Sequence, residues 1–542
     1  MKFFNAGFLQ PTNTKNIYWL SFLIFILYTI SLFYNLYLAP LYSEEPRRAL
    51  VALEMLINNN FIVTTILNET FYDHPPLWNI VLAGSIKLFG YNTFALRFPS
   101  AFSFLLTGIA AFYMGRKYIG TKFGLLSALY YLVCADLYFY FSLTAEIDIF
   151  YSLLVVLCIF SIFHFYQQKR FYRLFGFAYF FITLAFLTKG FASFAFIIIT
   201  LGVYLLYKRD LKRLFSWPHI FSAALSAATV YFYFYIYGSY EDLGKYISEM
   251  WGLTHQRTLL SDRFSGIIKH LLFYPLNFIA VIFPATLFLL FIWKKEQIRS
   301  VKTQPYLVFL VITFIANFLV YWISPGARMR YTYMFFPMVI TVLTYPLFLQ
   351  IEDNNWKHKT YHTFFKVIMT IAALACFVIP FISFFSILPH LKFTMPLFGL
   401  LLITVLIFHH KTIGYPRHLF VIAFIVVCRL AFDHVALPLK ALTSSSAPNE
   451  TYADDIHKIV GDEAPLYLFT QESLRRHIQT PFKFYETASF LEMSRKKVIS
   501  RTNQCELPGY YIFNRQDLEG RKPLYEFTIS KVDLVLVRIN QD

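Results

Sequence analysis

The sequence predicts an all-α membrane protein that crosses the bilayer many times and ends in a small α/β domain. Apolar residues make up 57% of the 542 residues and charged residues only 15%, which is unlike the balance in soluble proteins. Apolar stretches recur that approach the roughly 20 residues a helix needs to cross a bilayer. After about residue 436 the composition becomes mixed and more polar.

The net charge of +17 does not indicate nucleic-acid binding. The lysines and arginines lie in short loops between apolar stretches, a distribution typical of cytoplasmic membrane loops. Nucleic-acid binding would need a basic face on a folded soluble domain. We therefore expect membrane lipids, and no nucleic acid, among the partners.

Thirteen apolar stretches are predicted to be transmembrane helices, each bounded by charged or turn-forming residues. The first, second and third cover about 17–39, 95–114 and 123–142, and the next three end near 166, 188 and 207. The remaining spans cover 219–237, a stretch ending at 293, then 305–323, 331–350, 367–387, 394–409 and 418–436.

The charges between the spans predict the orientation. Clusters of Lys and Arg follow the even-numbered spans, and most acids follow the odd-numbered ones. The positive-inside rule then places the N-terminus in the cytoplasm and, with thirteen spans, the tail outside. We predict a membrane module over 1–436 and an external domain over 437–542, with strands at 465–469, 482–485, 510–513 and 533–539.

The first external loop, 39–78, is unusually charged for this chain. It contains Glu44, Glu45, Arg47, Asp73 and His74, and ionisable groups beside hydrocarbon are costly enough to suggest a function. The apolar spacing within 44–59 predicts an amphipathic helix lying on the membrane. The simpler alternative is a solvated loop that covers the bundle.

With this topology, charged side chains from five loops meet on the external face. They are Glu44, Glu45, Arg47, Asp73, His74, Glu146, Asp148, Lys189, Arg257, Arg328 and Arg330. Cations in such a group would hold a phosphate and stabilise it as a leaving group, while a carboxylate would take the proton of an acceptor.

Other roles remain open for individual side chains. Glu45 would favour the helix dipole from the first turn, Lys189 would extend to the interface from a span end, and Arg48 would lie at headgroup level. Glu44, Glu45 and Asp148 would also suit a hard divalent cation. We predict no required cofactor.

Several segments together resemble the bacterial aminoarabinose lipid A transferases and the related protein O-mannosyltransferases, which are GT-C glycosyltransferases. Glu44-Glu-Pro-Arg-Arg resembles the acidic first-loop motif of that family. Asp73-His-Pro-Pro76 is similar to its second element, Ala145-Glu-Ile-Asp148 to its second acidic turn, and Thr188-Lys-Gly190 to its Thr-Lys-Gly break.

The resemblance implies roles for matching residues. Glu44 matches the acid that acts as base or positions the acceptor, Arg47 its neighbouring arginine, and Asp148 the second acid. Lys189 matches a lysine near the donor phosphate. His74 stands where the lipid A transferases carry lysine, so its charge depends on pH.

Three further positions are matched more loosely. Arg257, Arg330 and Tyr331 resemble later phosphate-contacting positions of the family. Asp73 and Glu146 complete the set of candidate site residues.

The resemblance implies an enzyme of the bacterial inner membrane with a periplasmic C-terminal domain. It would transfer a sugar, with inversion, from a polyprenyl phosphate to lipid A, protein or another envelope acceptor. One alternative is a flippase of lipid-linked sugars, for which interrupted spans near the middle of the membrane would speak. Another is a polymerase or ligase that uses a diphosphate-linked donor.

Overall fold

The computed structural model describes residues 14–258, 264–292, 295–353, 355–444, 446, 448–470, 480–518, 520–529 and 531–540, with the backbone alone at 14, 253–258, 264–265 and 480–483. Within these ranges the chain is mostly helical up to Thr443. Strands dominate only near the end. The predicted fold class, a polytopic helical membrane protein with a small C-terminal α/β region, is confirmed.

Twenty α-helices follow one another in the described ranges. They are α1 (Thr14–Phe33), α2 (Glu45–Ile57), α3 (Leu77–Phe89), α4 (Thr93–Tyr118), α5 (Thr121–Leu132), α6 (Ala135–Phe139), α7 (Ile147–Gln167), α8 (Phe171–Lys189), α9 (Ala192–Tyr207), α10 (Trp217–Tyr237), α11 (Leu243–Thr258), α12 (Phe264–Val281), α13 (Lys295–Thr303), α14 (Pro305–Trp322), α15 (Phe336–Leu349), α16 (Trp356–Val378), α17 (Leu391–Lys411), α18 (Tyr415–Thr443), α19 (Asn449–Val460) and α20 (Thr480–Arg495).

In the described part of the chain, ten helices are long and apolar enough to cross a membrane, or up to twelve if each of two bent pairs is one span. Each of the thirteen predicted stretches coincides with such a helix, a bent pair or the shorter apolar helix α9. The count of thirteen itself stays a prediction, because helix length alone does not decide which helices reach both surfaces.

The two bent pairs meet inside the bundle. The chain turns by 49° between α5 and the segment that begins at Ala135, and by 100° between α12 and the 3₁₀ helix Ala285–Phe291. At the breaks the Ala135 amide donates to the Phe283 carbonyl at 2.8 Å. The freed backbone groups thus bond to each other, as burial in a membrane protein requires.

Helix α2 forms as predicted, but it does not lie on a surface. Nine of its thirteen residues are buried, because α3 packs on one side and α20 of the C-terminal region on the other. Leu50 and Val51 join a core with Phe484 and Leu491 of α20. The prediction of an interfacial helix is therefore wrong: the C-terminal region covers the face that was expected to meet lipid.

The tail folds into a mixed five-stranded sheet with α19 and α20 against it. Its strands are β3 (Leu466–Phe469), β4 (Ser500–Thr502), β5 (Gly509–Asn514), β6 (Tyr525–Ile529) and β7 (Val532–Ile539), and the first loop holds a separate two-stranded hairpin of β1 (Thr65–Ile66) and β2 (Glu69–Thr70). The sheet order is β4-β3-β5-β7-β6, with β3 parallel to both neighbours and β7 antiparallel to both of its own.

Three of the four predicted strands are confirmed, and one is wrong. Residues 482–485 alternate in polarity as a strand would, yet they lie in helix α20. The side chain of Phe484 is buried in the core shared with α2, so packing overrides the local pattern. The domain limits 1–436 and 437–542 stay a prediction, with α18 running on to Thr443.

Candidate active site

The start of α2 brings together the charged residues of the first loop. Glu44 precedes the helix, and Pro46 stands in its first turn, where a missing amide proton costs nothing. Arg47, one turn on, forms an ion pair with Glu44. Its Nη2 atom also lies 3.2 Å from Oδ2 of Asp73, and His74 Nε2 lies 3.9 Å from the same oxygen.

Arg48 belongs to this group as well. Its guanidinium donates to Asp73 at 3.2 Å, and the residue is only 5% exposed. Burial lowers the pKa of Arg48 against the opposing effect of Asp73. Arg48 is therefore paired inside the protein, and sequence reasoning missed it as a candidate site residue; its position at headgroup level stays a prediction.

Glu45 has a different environment from its neighbour. Its carboxylate accepts hydrogen bonds from Arg97 Nε at 2.8 Å and Nη2 at 2.9 Å, and from the amides of Tyr42 and Ala145, each at 2.8 Å. Both charged residues are at most 2% exposed. Four donors occupy this carboxylate, which favours a structural role for Glu45 over a catalytic one; the catalytic role itself stays a prediction. Glu45 joins the first loop, α4 and the turn before α7.

A second charged group forms where α7 begins and α8 ends. Asp148, in the first turn of α7, forms an ion pair with Lys189. Arg330 contacts both acids of the turn, with Nη1 2.9 Å from Glu146 Oε1 and Nε 3.3 Å from Asp148 Oδ2. Lys189 occupies the last position of α8 because Gly190, with φ of +84°, ends the helix in a conformation that glycine adopts freely.

Aromatic rings enclose the lysine. Its Nζ atom lies 5.0 Å from the ring centroid of Tyr151 and 4.7 Å from that of Tyr331. Such contacts stabilise a cation. Lys189 is therefore largely enclosed by protein: its side chain is 12% exposed, and that of its partner Asp148 is 2% exposed.

The two groups face each other. Glu44 acts electrostatically on Arg330, and Glu146 acts on Arg48. Burial and the nearby Asp148 raise the pKa of Glu146 to about 7, against the effect of Arg330. The first loop, the start of α7, the end of α8 and the segment at Arg330 thus contribute residues to one charged site. The sequence analysis predicted that charges from separate loops would meet in this way.

A cavity of about 250 Å³ opens beside Arg330. Its lining includes Arg328, Arg330, Asp136 and Tyr333, and the Tyr333 hydroxyl donates to Asp136 at 2.7 Å. The two arginines suit an anion such as a phosphate. Sequence reasoning missed Asp136, because it stands in an apolar stretch and reaches the cavity only through the break between α5 and α6.

An apolar groove of about 270 Å³ lies close to this cavity. Its lining includes Phe278, Ile282, Phe318 and Trp322, and Val281, the residue before Ile282, lines the charged cavity. A cationic cavity beside an apolar groove suits a lipid with a phosphate headgroup.

Two further expectations concerned Arg257 and a metal ion shared by three acids. The Arg257 side chain lies outside the described residues. Glu44, Glu45 and Asp148 do not form a group that would share one metal ion within the described ranges, because each carboxylate is paired with a different arginine or lysine.

Known proteins resemble this chain both in sequence and in fold. Residues 73–237 match the family model described as dolichyl-phosphate-mannose-protein mannosyltransferase. Over nearly the whole chain, the structure resembles ArnT from Cupriavidus metallidurans bound to undecaprenyl phosphate, with a TM-score of 0.68 at 16% identity, covering 95% of this chain and 97% of that one. The chain has the GT-C fold of ArnT.

Curated relatives match parts of the chain. The undecaprenyl phosphate-alpha-4-amino-4-deoxy-L-arabinose arabinosyl transferase of Erwinia tasmaniensis is 34% identical over 116 residues, and that of Shewanella sediminis is 28% identical over 201 residues. The aligned stretches span 21% and 35% of these relatives. The resemblance to the ArnT and protein O-mannosyltransferase type is thereby confirmed.

The family match covers only part of the candidate site. Residues 73–237 contain Asp73, His74, Glu146, Asp148 and Lys189. Glu44, Arg47 and Arg330 lie outside the match. Arg47 contacts the matched Asp73, and Arg330 contacts the matched Glu146 and Asp148.

Proposed function

We propose that this protein is a membrane glycosyltransferase that moves a sugar from a polyprenyl phosphate to an acceptor hydroxyl. The observation that carries the proposal is the position of Asp148. It lies between Lys189 and Arg330, and Arg330 also lines the cationic cavity next to an apolar groove. This places a carboxylate beside the groups that would hold a lipid phosphate.

The proposed reaction is a direct displacement at the sugar carbon attached to phosphate. The acceptor oxygen forms a bond to that carbon as the bond to the phosphate oxygen breaks, which inverts the configuration. The bonding electrons pass to the phosphate, and the acceptor proton passes to Glu44 or Asp148. Hydrogen bonds from arginine and lysine stabilise the charge that develops on the leaving phosphate.

The remaining site residues would bind the donor. We assign Arg47, His74, Lys189, Arg257, Arg330 and Tyr331 to the donor phosphate, with Asp73 and Glu146 holding the arginines in place. Arg328 and Arg48 join them on the strength of the cavity lining and the Asp73 contact. The apolar groove would take the first isoprene units of the carrier.

We also propose the bacterial inner membrane as the location, with the N-terminus cytoplasmic and the C-terminal domain periplasmic. The positive loops after even-numbered spans support this orientation. Protease added to spheroplasts should then remove the tail while the bundle stays intact. Cleavage only after the membrane is opened would overturn the orientation.

The test of the function is a transfer assay with the full-length protein purified in detergent. Labelled polyprenyl-monophosphate sugar is incubated with an extract of bacterial envelope as the source of acceptor. We expect a labelled covalent product and free polyprenyl phosphate, and none with Glu44→Gln. Use of a polyprenyl-diphosphate donor alone would contradict the monophosphate specificity.

A second measurement separates transfer from transport. In proteoliposomes, movement of the labelled donor between leaflets without any covalent product would overturn the proposal and favour a flippase. The acceptor class follows from mass spectrometry of envelope lipids and glycoproteins with and without the gene. Lipid A, protein and glycan acceptors predict different missing masses.

A further inference from the structure

Four histidines gather at the end of the bundle remote from the candidate active site. They are His358 and His362 on α16, His409 near the end of α17 and His418 near the start of α18. The other end of α18 carries Lys440, which contacts Tyr42 of the first loop. With a rise of 1.5 Å per residue, the 22 residues between His418 and Lys440 put about 33 Å between the two places.

Three of these histidines have the geometry of a metal site. Each of His358, His362 and His418 offers a ring nitrogen, and the three nitrogens lie within 4.8 Å of one another. The spacing of four residues places His358 and His362 on the same face of α16. All three are at most 4% exposed.

In two of the three histidines, one ring nitrogen already has a hydrogen-bond partner. His418 Nδ1 lies 2.8 Å from the Tyr130 hydroxyl, which in turn lies 2.9 Å from the Tyr361 hydroxyl. His362 Nδ1 lies 3.2 Å from His409 Nε2. A second hydrogen bond of this kind is what orients a metal-binding histidine and selects the nitrogen that binds.

Two nitrogens of the three histidines lack a hydrogen-bond partner among the described residues. His358 Nε2 and His418 Nε2 are buried and have no hydrogen-bond partner among the described residues. A buried polar atom without a partner is unfavourable, and a metal ion between the rings would satisfy these atoms. We propose that His358, His362 and His418 bind a transition-metal ion, with Zn²⁺ as the preferred class.

The type of ligand at the site indicates which metals it would bind, and mostly cationic side chains surround the histidines. Arg417 acts on His362, His409 and His418, Lys357 and Asp353 act on His358, and Lys366 and His410 act on His409. Mg²⁺ and Ca²⁺ prefer oxygen ligands, and among the described residues no carboxylate joins the three histidines, so these two ions are disfavoured. Neutral imidazoles suit Zn²⁺, Co²⁺, Ni²⁺ and Cu²⁺.

The competing explanation is that the histidines only fill space. They do contact aromatic rings, with His358 4.6 Å from the ring centroid of Phe291 and His418 5.3 Å from that of Tyr361. Packing alone predicts no metal binding and no change in spectrum. The two explanations therefore separate in a direct binding measurement.

The test uses the full-length protein purified in detergent without a polyhistidine tag. After treatment with a chelator, Zn²⁺ or Co²⁺ is added, excess is removed, and metal is measured by mass spectrometry. We expect about one ion per chain and the visible absorption of tetrahedral Co²⁺. The variant His418→Ala should lose both. His410→Ala, at an exposed position next to His409 at the end of α17, should keep both.

A second variant covers the case in which His418→Ala fails to fold. His418→Cys keeps a metal ligand and should add a thiolate-to-Co²⁺ charge-transfer band in the near ultraviolet. Equal metal content in the wild type and in a folded His358→Ala variant would overturn the proposal. So would less than about one tenth of an ion in the wild type, or a Cys variant that binds Co²⁺ without the new band.

The metal site and the proposed transfer reaction are independent. Transfer activity without a metal at the histidines would support the proposed glycosyltransferase function and contradict the metal site alone. Conversely, a metal bound at the histidines of a protein with no transfer activity would support this inference and contradict the other.

Discussion

Glu45 and Glu146 are both buried carboxylates beside an arginine, and they differ in how completely they are paired. Glu45 accepts four hydrogen bonds, two of them from Arg97. Glu146 accepts one from Arg330 and has the negative Asp148 next to it. A fully paired carboxylate holds segments together, whereas an underpaired one beside a cavity remains open to a ligand and to a change of charge.

The largest expected effect concerns Asp148, the neighbour of the underpaired Glu146. Asp148→Asn should lower transfer by about a hundredfold or more, because the change removes the charge between Lys189 and Arg330. Initial rates with labelled donor measure the effect. Asp210→Asn is the matched control, since Asp210 pairs with Arg213 far from the site; equal losses in both variants would contradict a catalytic role.

The fully paired side predicts a loss of stability. Glu45→Ala leaves Arg97 buried without its partner, which costs about 3–5 kcal/mol. Thermal unfolding in detergent should show a large drop, and Glu44→Gln should show a small one, because the Glu44–Arg47 pair is nearly a quarter exposed. Adding Arg97→Met to Glu45→Ala should cost little more. Unchanged unfolding of Glu45→Ala would refute the structural assignment.

The raised pKa of Glu146 predicts a pH dependence of donor binding. Below about pH 7 its carboxyl is mostly protonated, and Arg330 keeps its full charge for the donor. Above that pH the ionised carboxylate competes for Arg330, so KM for the donor should rise about three- to tenfold between pH 6 and 8. The donor phosphodiester stays ionised throughout. In Glu146→Gln the rise should shrink to the part that His74 contributes as it loses its charge, and an unchanged profile would remove Glu146 from the argument.

The smallest effect concerns the contact between the C-terminal domain and the first loop. The Arg501–Glu69 ion pair is partly exposed, and such pairs contribute about 0–1 kcal/mol. Arg501→Ala should therefore shift unfolding slightly and leave transfer unchanged. Leu50→Ala, in the apolar core of the same contact, should shift it by about 2–5 kcal/mol. The reverse order would mean that charge, and not packing, joins the two regions.

Sequence reasoning predicted the helices and the convergence of charges because both follow from local patterns. Apolar length specifies the spans, and charges in loops specify the sides. It could not distinguish Glu44 from Glu45, since the partner that saturates Glu45 is Arg97, 52 residues away. It also missed the histidines, which come from three helices and stand among basic residues that resemble ordinary membrane loops.

The two predictions that failed, the membrane-surface helix α2 and the strand at 482–485, both involve the C-terminal region. The sequence of α2 has an apolar face typical of a membrane-surface helix. The local pattern holds no information about the C-terminal domain, which covers this face and lies about four hundred residues later in the chain. The strand predicted at 482–485 failed for the same reason. Phe484 alternates with polar neighbours but packs against α2 from a helix.

Helix α2 packs between α3 and α20. Glu44 immediately precedes this helix, and Arg47 lies in its first turn. Because α2 packs against α20, a movement of the C-terminal domain that displaces α20 would also displace Glu44 and Arg47. The packing of α20 on α2 therefore connects the C-terminal region mechanically to the candidate active site.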